Sequence, residues 1–181
     1  MPDSNIPSWP SIHTIVFDFD GVFTNNKVWV DQDGNESVRC DRGDGLAFDI
    51  LRKFTNLNNW HLDYFILSTE KNHVVTSRAK KLHIRCIQGV NDKAAYLDSY
   101  LIQNKKSRHG LLYVGNDLND LRAIQIAGFS LAPSDAHPLI KEQVNLVLLS
   151  KGGEGFVREV IEKVLCLDQL SSSDLLGGNL I

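Results

Sequence analysis

The sequence predicts an α/β fold in three layers, a parallel sheet with helices on both faces. Three observations predict it. Short, near-continuous apolar runs, the pattern of strands buried on both faces, alternate with segments of helical spacing along most of the chain. No internal repeat and no shift in composition interrupts the alternation, and 181 residues suit a single core. Chemically capable side chains fall just after the apolar runs, where open sheets of this class bind ligands.

Taken in order, a polar lead with Pro7 and Pro10 precedes a first strand from about Ile12 to Asp18. Lys27 to Val30 and Glu36 to Arg39, joined by the turn residues Asp31-Gln32-Asp33-Gly34-Asn35, predict a β-hairpin. That hairpin, about 27–39, is placed to act as a flap over the end of strand one. Leu46, Ile50, Leu51 and Phe54 predict a helix from Gly45 to about Leu57, broken by Asn56-Leu57-Asn58-Asn59. Strands follow at Leu62 to Ser68, Ile84 to Gln88, Leu111 to Gly115, Phe129 to Ala132 and Asn145 to Leu149. Helices from about Lys71 to Leu82, Asp92 to Gln103 and Leu118 to Ala127 alternate with them, and an amphipathic helix from Glu154 to about Leu167 closes the fold. One domain over 1–168 is expected, with no separate cap domain. The segment 169–181, carrying Ser171-Ser172-Ser173 and Gly177-Gly178, is expected to be a flexible tail.

Composition narrows the function. A net charge of −3 without a basic stripe argues against a nucleic-acid partner, and Lys105-Lys106-Ser107-Arg108 reads as a solvated loop. Cys40, Cys86 and Cys166 are odd in number and scattered, as in a reducing cytosol. Met1 to Asn5 lacks the features of a signal peptide, and no apolar run approaches the ~20 residues of a membrane span. A cytoplasmic protein without nucleic-acid or membrane partners is expected.

Asp18 and Asp20 stand two residues apart at the end of the first apolar run, with Gly21 free to turn the chain beyond them. Like charges so close repel unless a cation or a shared proton intervenes. The pair therefore suits a divalent metal, and it sets a nucleophile beside an acid/base. Ser68-Thr69 follows the next main strand, Lys93 opens a later helix, and Gly115-Asn116-Asp117-Leu118-Asn119-Asp120 follows a third strand. Each alone has a bland reading: a serine suits a helix cap, a helical lysine a solvated face, an acidic loop a turn. In this order, along one edge of one sheet, they form a constellation that chance explains poorly. The six histidines lack metal-ligand spacing; His137 is the one whose loop is expected to border the site.

Over nearly its whole length the chain resembles the haloacid dehalogenase (HAD) superfamily, whose fold is a Rossmann-like parallel sheet. Asp18-Phe19-Asp20-Gly21-Val22 is similar to its first motif, Ser68 to its second, Lys93 to its third and Gly115 to Asp120 to its fourth. Within it, Asp44-Gly45-Leu46, Gln88-Gly89, Asp135-Ala136-His137-Pro138 and Gly152-Gly153-Glu154-Gly155-Phe156 resemble the capless branch. That branch acts on phosphates of 2-keto-3-deoxy sugar acids, either octulosonate 8-phosphate or nonulosonate 9-phosphate.

The resemblance implies an Mg²⁺-dependent phosphatase. Asp18 would be the nucleophile, forming an aspartyl-phosphate, and Asp20 the acid/base. Lys93, Ser68, Thr69, Glu70 and Gly21 would lie around the phosphoryl group and substrate. Asp18, the Asp20 carbonyl and Asn116 would hold Mg²⁺, supported by Asp117 and Asp120. It also implies a homotetramer in which one subunit's hairpin closes a neighbour's site. Two positions depart from the branch. Asn116 stands where Asp is usual, which predicts weaker metal binding. Thr69-Glu70-Lys71 replaces the Gly-Arg of octulosonate enzymes, which favours a nine-carbon substrate, as does Glu154. Arg78 and Lys81 could reach a substrate carboxylate or simply be solvated. The alternative is a non-catalytic module of the same fold that aids oligomerisation of a cytidylyltransferase activating sialic acids. A receiver-type signalling domain fits less well, because Gln88-Gly89 stands where its phosphorylated Asp would lie.

Overall fold

Thr14-Ile15-Val16-Phe17, all four fully buried, form the central strand β1 of the computed structural model, which describes residues 6–171, 173 and 180. β1 pairs in parallel with β4 (Asp63–Leu67) on one side and β6 (Leu111–Val114) on the other. With β5 (Arg85–Ile87), β7 (Phe129–Ala132) and β8 (Leu146–Val147) the order is β5-β4-β1-β6-β7-β8, parallel throughout. Such strands carry apolar residues on both faces because helices cover both. Ile15 and Phe17 face α1 (Gly43–Leu57), α2 (His73–Leu82) and α6 (Phe156–Val164), in a core with Phe48, Val75 and Val160. Val16 and Tyr113 face the opposite core, which includes Leu97 of α3 (Lys93–Gln103), Ala123 of α4 (Leu121–Ile126) and Ile140 of α5 (Pro138–Gln143).

The expected elements are present, most with shorter bounds, although α1 begins two residues earlier than expected and β7 matches; three features differ for local reasons. The helix expected over 118–127 is split: Leu118–Asp120 is a 3-10 turn and α4 begins only at Leu121. There Asp117 and Asp120 cap each other's backbone rather than pointing to solvent. The final helix starts at Phe156 rather than Glu154, because Gly153 (φ +68°) and Gly155 (φ +81°) hold left-handed conformations. α5 was not expected; at six residues it is too short for a periodic signal, although His137-Pro138 is a start signal. The hairpin forms at Trp29–Val30 (β2) and Glu36–Ser37 (β3), and Asp31 accepts the Asp33 and Asn35 amides across its turn. Of the expected tail, Gln169 completes a 3-10 turn that begins at Leu167, and Leu180 is buried. Ser172, 174–179 and Ile181 lie outside the described residues, as do Met1 to Asn5.

The sheet order fixes the place of the site. The chain leaves β1 toward β4 and β5, then crosses back to build β6, β7 and β8 on the other side. The carboxyl end of β1 is thus the switch point, where neighbouring connections part and leave a crevice. The glycine-rich segment after β8 closes against it: the Gly153 amide donates to the Val22 carbonyl at 3.1 Å. A Cβ at Gly152 would overlap the Gly21 carbonyl.

That close approach yields a pair of predictions of opposite sign. Gly152→Ala has no room and should lose about 1–3 kcal/mol of stability. Gly45→Ala, in α1 with Leu82 Cδ2 at an ordinary 3.7 Å from the added carbon, should gain roughly 0.5–1 kcal/mol. Urea denaturation measures both, and a Gly152→Ala variant as stable as the wild type would contradict the packing of the two loops.

Candidate active site

Four connections place the expected residues at one edge of the sheet. At the end of β1 the Asp18 amide still donates to the Val114 carbonyl (2.8 Å), but the strand stops at Phe17. Phe19 is fully buried and stacks on Phe23 at 5.7 Å. With Phe19 inserted into the core beside Phe17, Asp18 and Asp20 line a common cleft. Gly21 turns the chain at φ +78°, and a Cβ there would overlap the Asn116 amide. After β4, buried Ser68 Oγ accepts the Glu70 amide at 3.0 Å. The helix cap is Asn72, which accepts the Val74 amide. Glu70 Oε1 accepts the Lys71 and Asn72 amides.

Lys93 is the first residue of α3, which Asp92 caps. Its side chain is buried rather than solvated, and Nζ lies 2.7 Å from Asp18 Oδ1 and 2.7 Å from Asp120 Oδ1. After β6, a Cβ on Gly115 would lie 2.6 Å from the Asp120 Cγ, so only glycine lets that carboxylate fold back. Asp120, fully buried, takes the Asn116 and Asp117 amides on Oδ2 and the Tyr113 hydroxyl on Oδ1 at 2.7 Å. Asn116 is held from behind, its carbonyl accepting the His137 amide at 2.8 Å. Asp18, Asp20, Asn26, Thr69, Asn116, Asp117 and Asn119 line a cleft of about 310 Å³. Ser68 and Lys93 do not line it, although both are buried and Lys93 reaches Asp18.

The electrostatics follow from burial. Desolvation and the Asp120 charge push the Asp18 pKa up to about 7, against the pull of Lys93 and the Phe19 N–H. Desolvation also raises Asp20, Glu70 and Glu36 adding to it and Lys93 opposing. Burial alone would depress Lys93, but Asp18 and Asp120 outweigh it and raise its pKa. Tyr113, buried near both carboxylates, is raised well above its ordinary value and stays a donor. Two carboxylates that ionise reluctantly are a place where a cation would be welcome. Asn116 Oδ1 is buried without any hydrogen-bond partner, and its residue lines the same cleft. An oxygen-only set of Asp18, Asp20 and Asn116 fits a hard divalent ion such as Mg²⁺. Among the described residues no three His, Cys, Asp or Glu side chains cluster as a metal cage.

The hairpin is tied down near this cleft. Asn72 Nδ2 donates to Glu36 Oε2 (2.8 Å), Arg39 pairs with Glu154, and the Arg78 guanidinium donates to the Asp41 carbonyl. Arg78 is therefore engaged within its own chain, while Lys81 is exposed. His137 caps α5 beside the site through Nδ1. Sequence reasoning missed Tyr113, hidden as one more β6 core residue, and Asn26, which carried no motif; Asn119 lay inside the Gly115 to Asp120 motif but was given no role of its own. Asp135, quoted only as part of the Asp135 to Pro138 segment, proves to accept the Gly152 amide on its carboxylate at 3.0 Å.

No family model matches the chain. A solved structure from Streptomyces avermitilis, assigned to the HAD family of hydrolases, is 37% identical with a TM-score of 0.83, covering 92% of this chain and 94% of its own. The 3-deoxy-D-manno-octulosonate 8-phosphate phosphatase of Yersinia pestis is 29% identical over 166 residues, 91% of this chain and 86% of that protein. The structure of the Moraxella catarrhalis phosphatase of the same name, in complex with magnesium ion, phosphate ion and KDO, is 26% identical with a TM-score of 0.78, covering 87% and 88%.

Asp44, at the base of the hairpin, yields a pH prediction. Burial, then Asp41, pushes its pKa up to about 7, and Arg78 and the Arg158 N–H oppose this only in part. Arg78 stands 4.0 Å away, and neither Asp44 oxygen has a hydrogen-bond partner. The unfolded chain loses this proton near pH ~4, so rising pH favours unfolding until about pH 7. Asp44→Asn cannot ionise, and its stability relative to wild type should climb between pH 4.5 and 8, by roughly 1–3 kcal/mol. Denaturation at the two pH values measures it; a difference that stays flat or falls refutes the raised pKa.

Proposed function

This chain belongs to the HAD family of hydrolases, and from that premise we propose that it is an Mg²⁺-dependent phosphatase acting on the phosphate monoester of a 2-keto-3-deoxy sugar acid. One observation carries the reading. A single buried ammonium, Lys93, joins the carboxylate at the end of β1 to the carboxylate of the loop after β6, beside an unpartnered amide oxygen.

In the proposed mechanism Asp18 attacks phosphorus in line, forming an aspartyl-phosphate and releasing the sugar oxygen. Asp20, whose raised pKa lets it hold a proton, gives that proton to the leaving oxygen. It then takes one from the water that hydrolyses the intermediate, which returns Asp18 and frees phosphate. Lys93 keeps Asp18 ionised and neutralises charge on the phosphoryl oxygens. The Ser68 hydroxyl, which accepts the Glu70 amide, keeps its own proton to donate. Asp18, the Asp20 carbonyl and Asn116 would hold Mg²⁺, whose charge favours the ionised nucleophile and offsets that of the transferring group.

Glu70 supports the finer reading of the substrate. Glu70 is near enough to Asp20 to raise its pKa, and a carboxylate beside the site would accept from hydroxyl or amide groups of a substrate. That favours nonulosonate 9-phosphate over octulosonate 8-phosphate, the substrate named for the Yersinia and Moraxella relatives. Glu154, engaged by Arg39, supports the hairpin rather than bearing on the substrate. The hairpin's Val28, Trp29 and Val30 are 51%, 57% and 60% exposed, which supports self-association as a homotetramer with each flap over a neighbour's site. The described residues contain no helix long and apolar enough to cross a membrane. We place the enzyme in the cytoplasm, away from nucleic acid.

Phosphate release from the two sugar-acid phosphates tests this proposal. Release should need Mg²⁺, fall at least about 10³-fold in Asp18→Asn, and be faster on the nine-carbon substrate. Asn116→Asp should lower the Mg²⁺ concentration for half-maximal rate, by adding a charge to the metal site. Release that survives Asp18→Asn would remove the nucleophile from the account. No release from either substrate, with an intact oligomer by light scattering, would favour the non-catalytic module, which the missing charge at Asn116 also suits.

A further inference from the structure

Tyr113 occupies the middle of β6 and is fully buried among Val16, Phe65 and Leu97. The other three residues of that strand, Leu111, Leu112 and Val114, are apolar, and phenylalanine would fill the same volume. A buried hydroxyl costs free energy unless it is bonded, and this one reaches Asp120 Oδ1 at 2.7 Å. Asp120 thereby accepts four hydrogen bonds: two backbone amides on Oδ2, and Tyr113 and Lys93 on Oδ1. Lys93 in turn spends one N–H on Asp120 and one on Asp18. Its third N–H has no acceptor among the described residues and remains for a phosphoryl oxygen.

We infer that Tyr113 is a positioning residue of this site: by sharing Asp120 Oδ1 with Lys93, it keeps Asp120 from drawing the ammonium off Asp18. The inference rests on the phosphatase reading above and extends it to a residue that never meets substrate. Two buried carboxylates compete for one ammonium, and the competition tightens during the reaction. When Asp18 bonds to phosphorus its carboxylate loses charge, so its hold on Lys93 weakens while that of Asp120 does not. The phenol hydrogen bond uses part of the acceptor capacity of Asp120 Oδ1, so the ammonium stays on the transferring group. Without it, Lys93 is the sole partner of that oxygen and is pulled toward α4, away from the reacting atoms.

The experiment compares wild type, Tyr113→Phe and a series of fluorotyrosines introduced at residue 113, which strengthen the donor without changing the fold. Rates and KM are read with the faster of the two sugar-acid phosphates, stability by urea denaturation, and the Lys93 ammonium by ¹⁵N NMR without substrate. Tyr113→Phe should lower kcat about tenfold to hundredfold, as for a hydrogen bond to a charged group, and leave KM within about twofold. Across the fluorotyrosines kcat should rise with donor strength while stability does not follow it. A Phe variant with wild-type kcat, or rates that track stability and not donor strength, overturns the inference. If the wild type releases no phosphate, the phosphatase reading fails and the NMR decides this one alone. A shifted, faster-exchanging Lys93 ammonium in Tyr113→Phe then supports the positioning role, and an unchanged one overturns it.

Discussion

One positive charge held against two buried carboxylates organises this molecule. Lys93 Nζ touches Asp18 and Asp120 at the same 2.7 Å, and none of the three side chains is more than 5% exposed. Removing one partner from such a group leaves an uncompensated buried charge, which costs several kcal/mol, so the three positions constrain one another. They also hold the sheet together at its centre, since Asp18 follows β1, Asp120 follows β6, and Lys93 opens the helix that crosses between the two halves. Burial, together with the excess negative charge left after pairing, raises the pKa of Asp18 to about 7. A divalent cation between Asp18, Asp20 and Asn116 would relieve it.

Glycine sets how tightly the loops close around that charge. Gly115 lets Asp120 fold back, Gly21 lets Asn116 approach, and Gly152 lets the segment after β8 lie on Gly21. Three loops distant in sequence thus stack at the carboxyl ends of β1, β6 and β8 with no room for a methyl group between them. Rigid support of this kind suits a site that must hold a nucleophile and a metal within narrow geometric limits. The hairpin is different in kind. Its strands are two residues each and exposed, and it is attached by polar contacts from Glu36, Arg39 and Asp41 and by Val38 and Cys40, which pack against the core.

The sheet, its helices and most of the site were legible because their signals are local. Apolar runs mark β1, β4, β6 and β7, and Asp18, Asp20, Asn116 and Asp117 follow the runs they were expected to follow. The comparisons bear out the HAD family and its fold. What could not be read depended on three-dimensional context. The break at Asp120 comes from a carboxylate turned inward, where helical periodicity predicts continuation. Tyr113 carried no signal, because an aromatic residue in an apolar strand looks the same whether or not its hydroxyl is bonded. Arg78 looked like a solvated helix face until its contact with the hairpin base was visible.

The central claim is that Lys93 holds Asp18 ready to accept a phosphoryl group. The most direct measurement is rapid acid quench of an Asp20→Asn variant during turnover of a sugar-acid phosphate with Mg²⁺, followed by mass spectrometry of the peptide containing residue 18. The account predicts a mass gain of one phosphoryl group on Asp18, because the proton acceptor needed to hydrolyse the intermediate is missing. It also predicts that the adduct is absent when Lys93→Met is added. Substrate turned over with no adduct on Asp18, or an adduct formed as readily without Lys93, would contradict it.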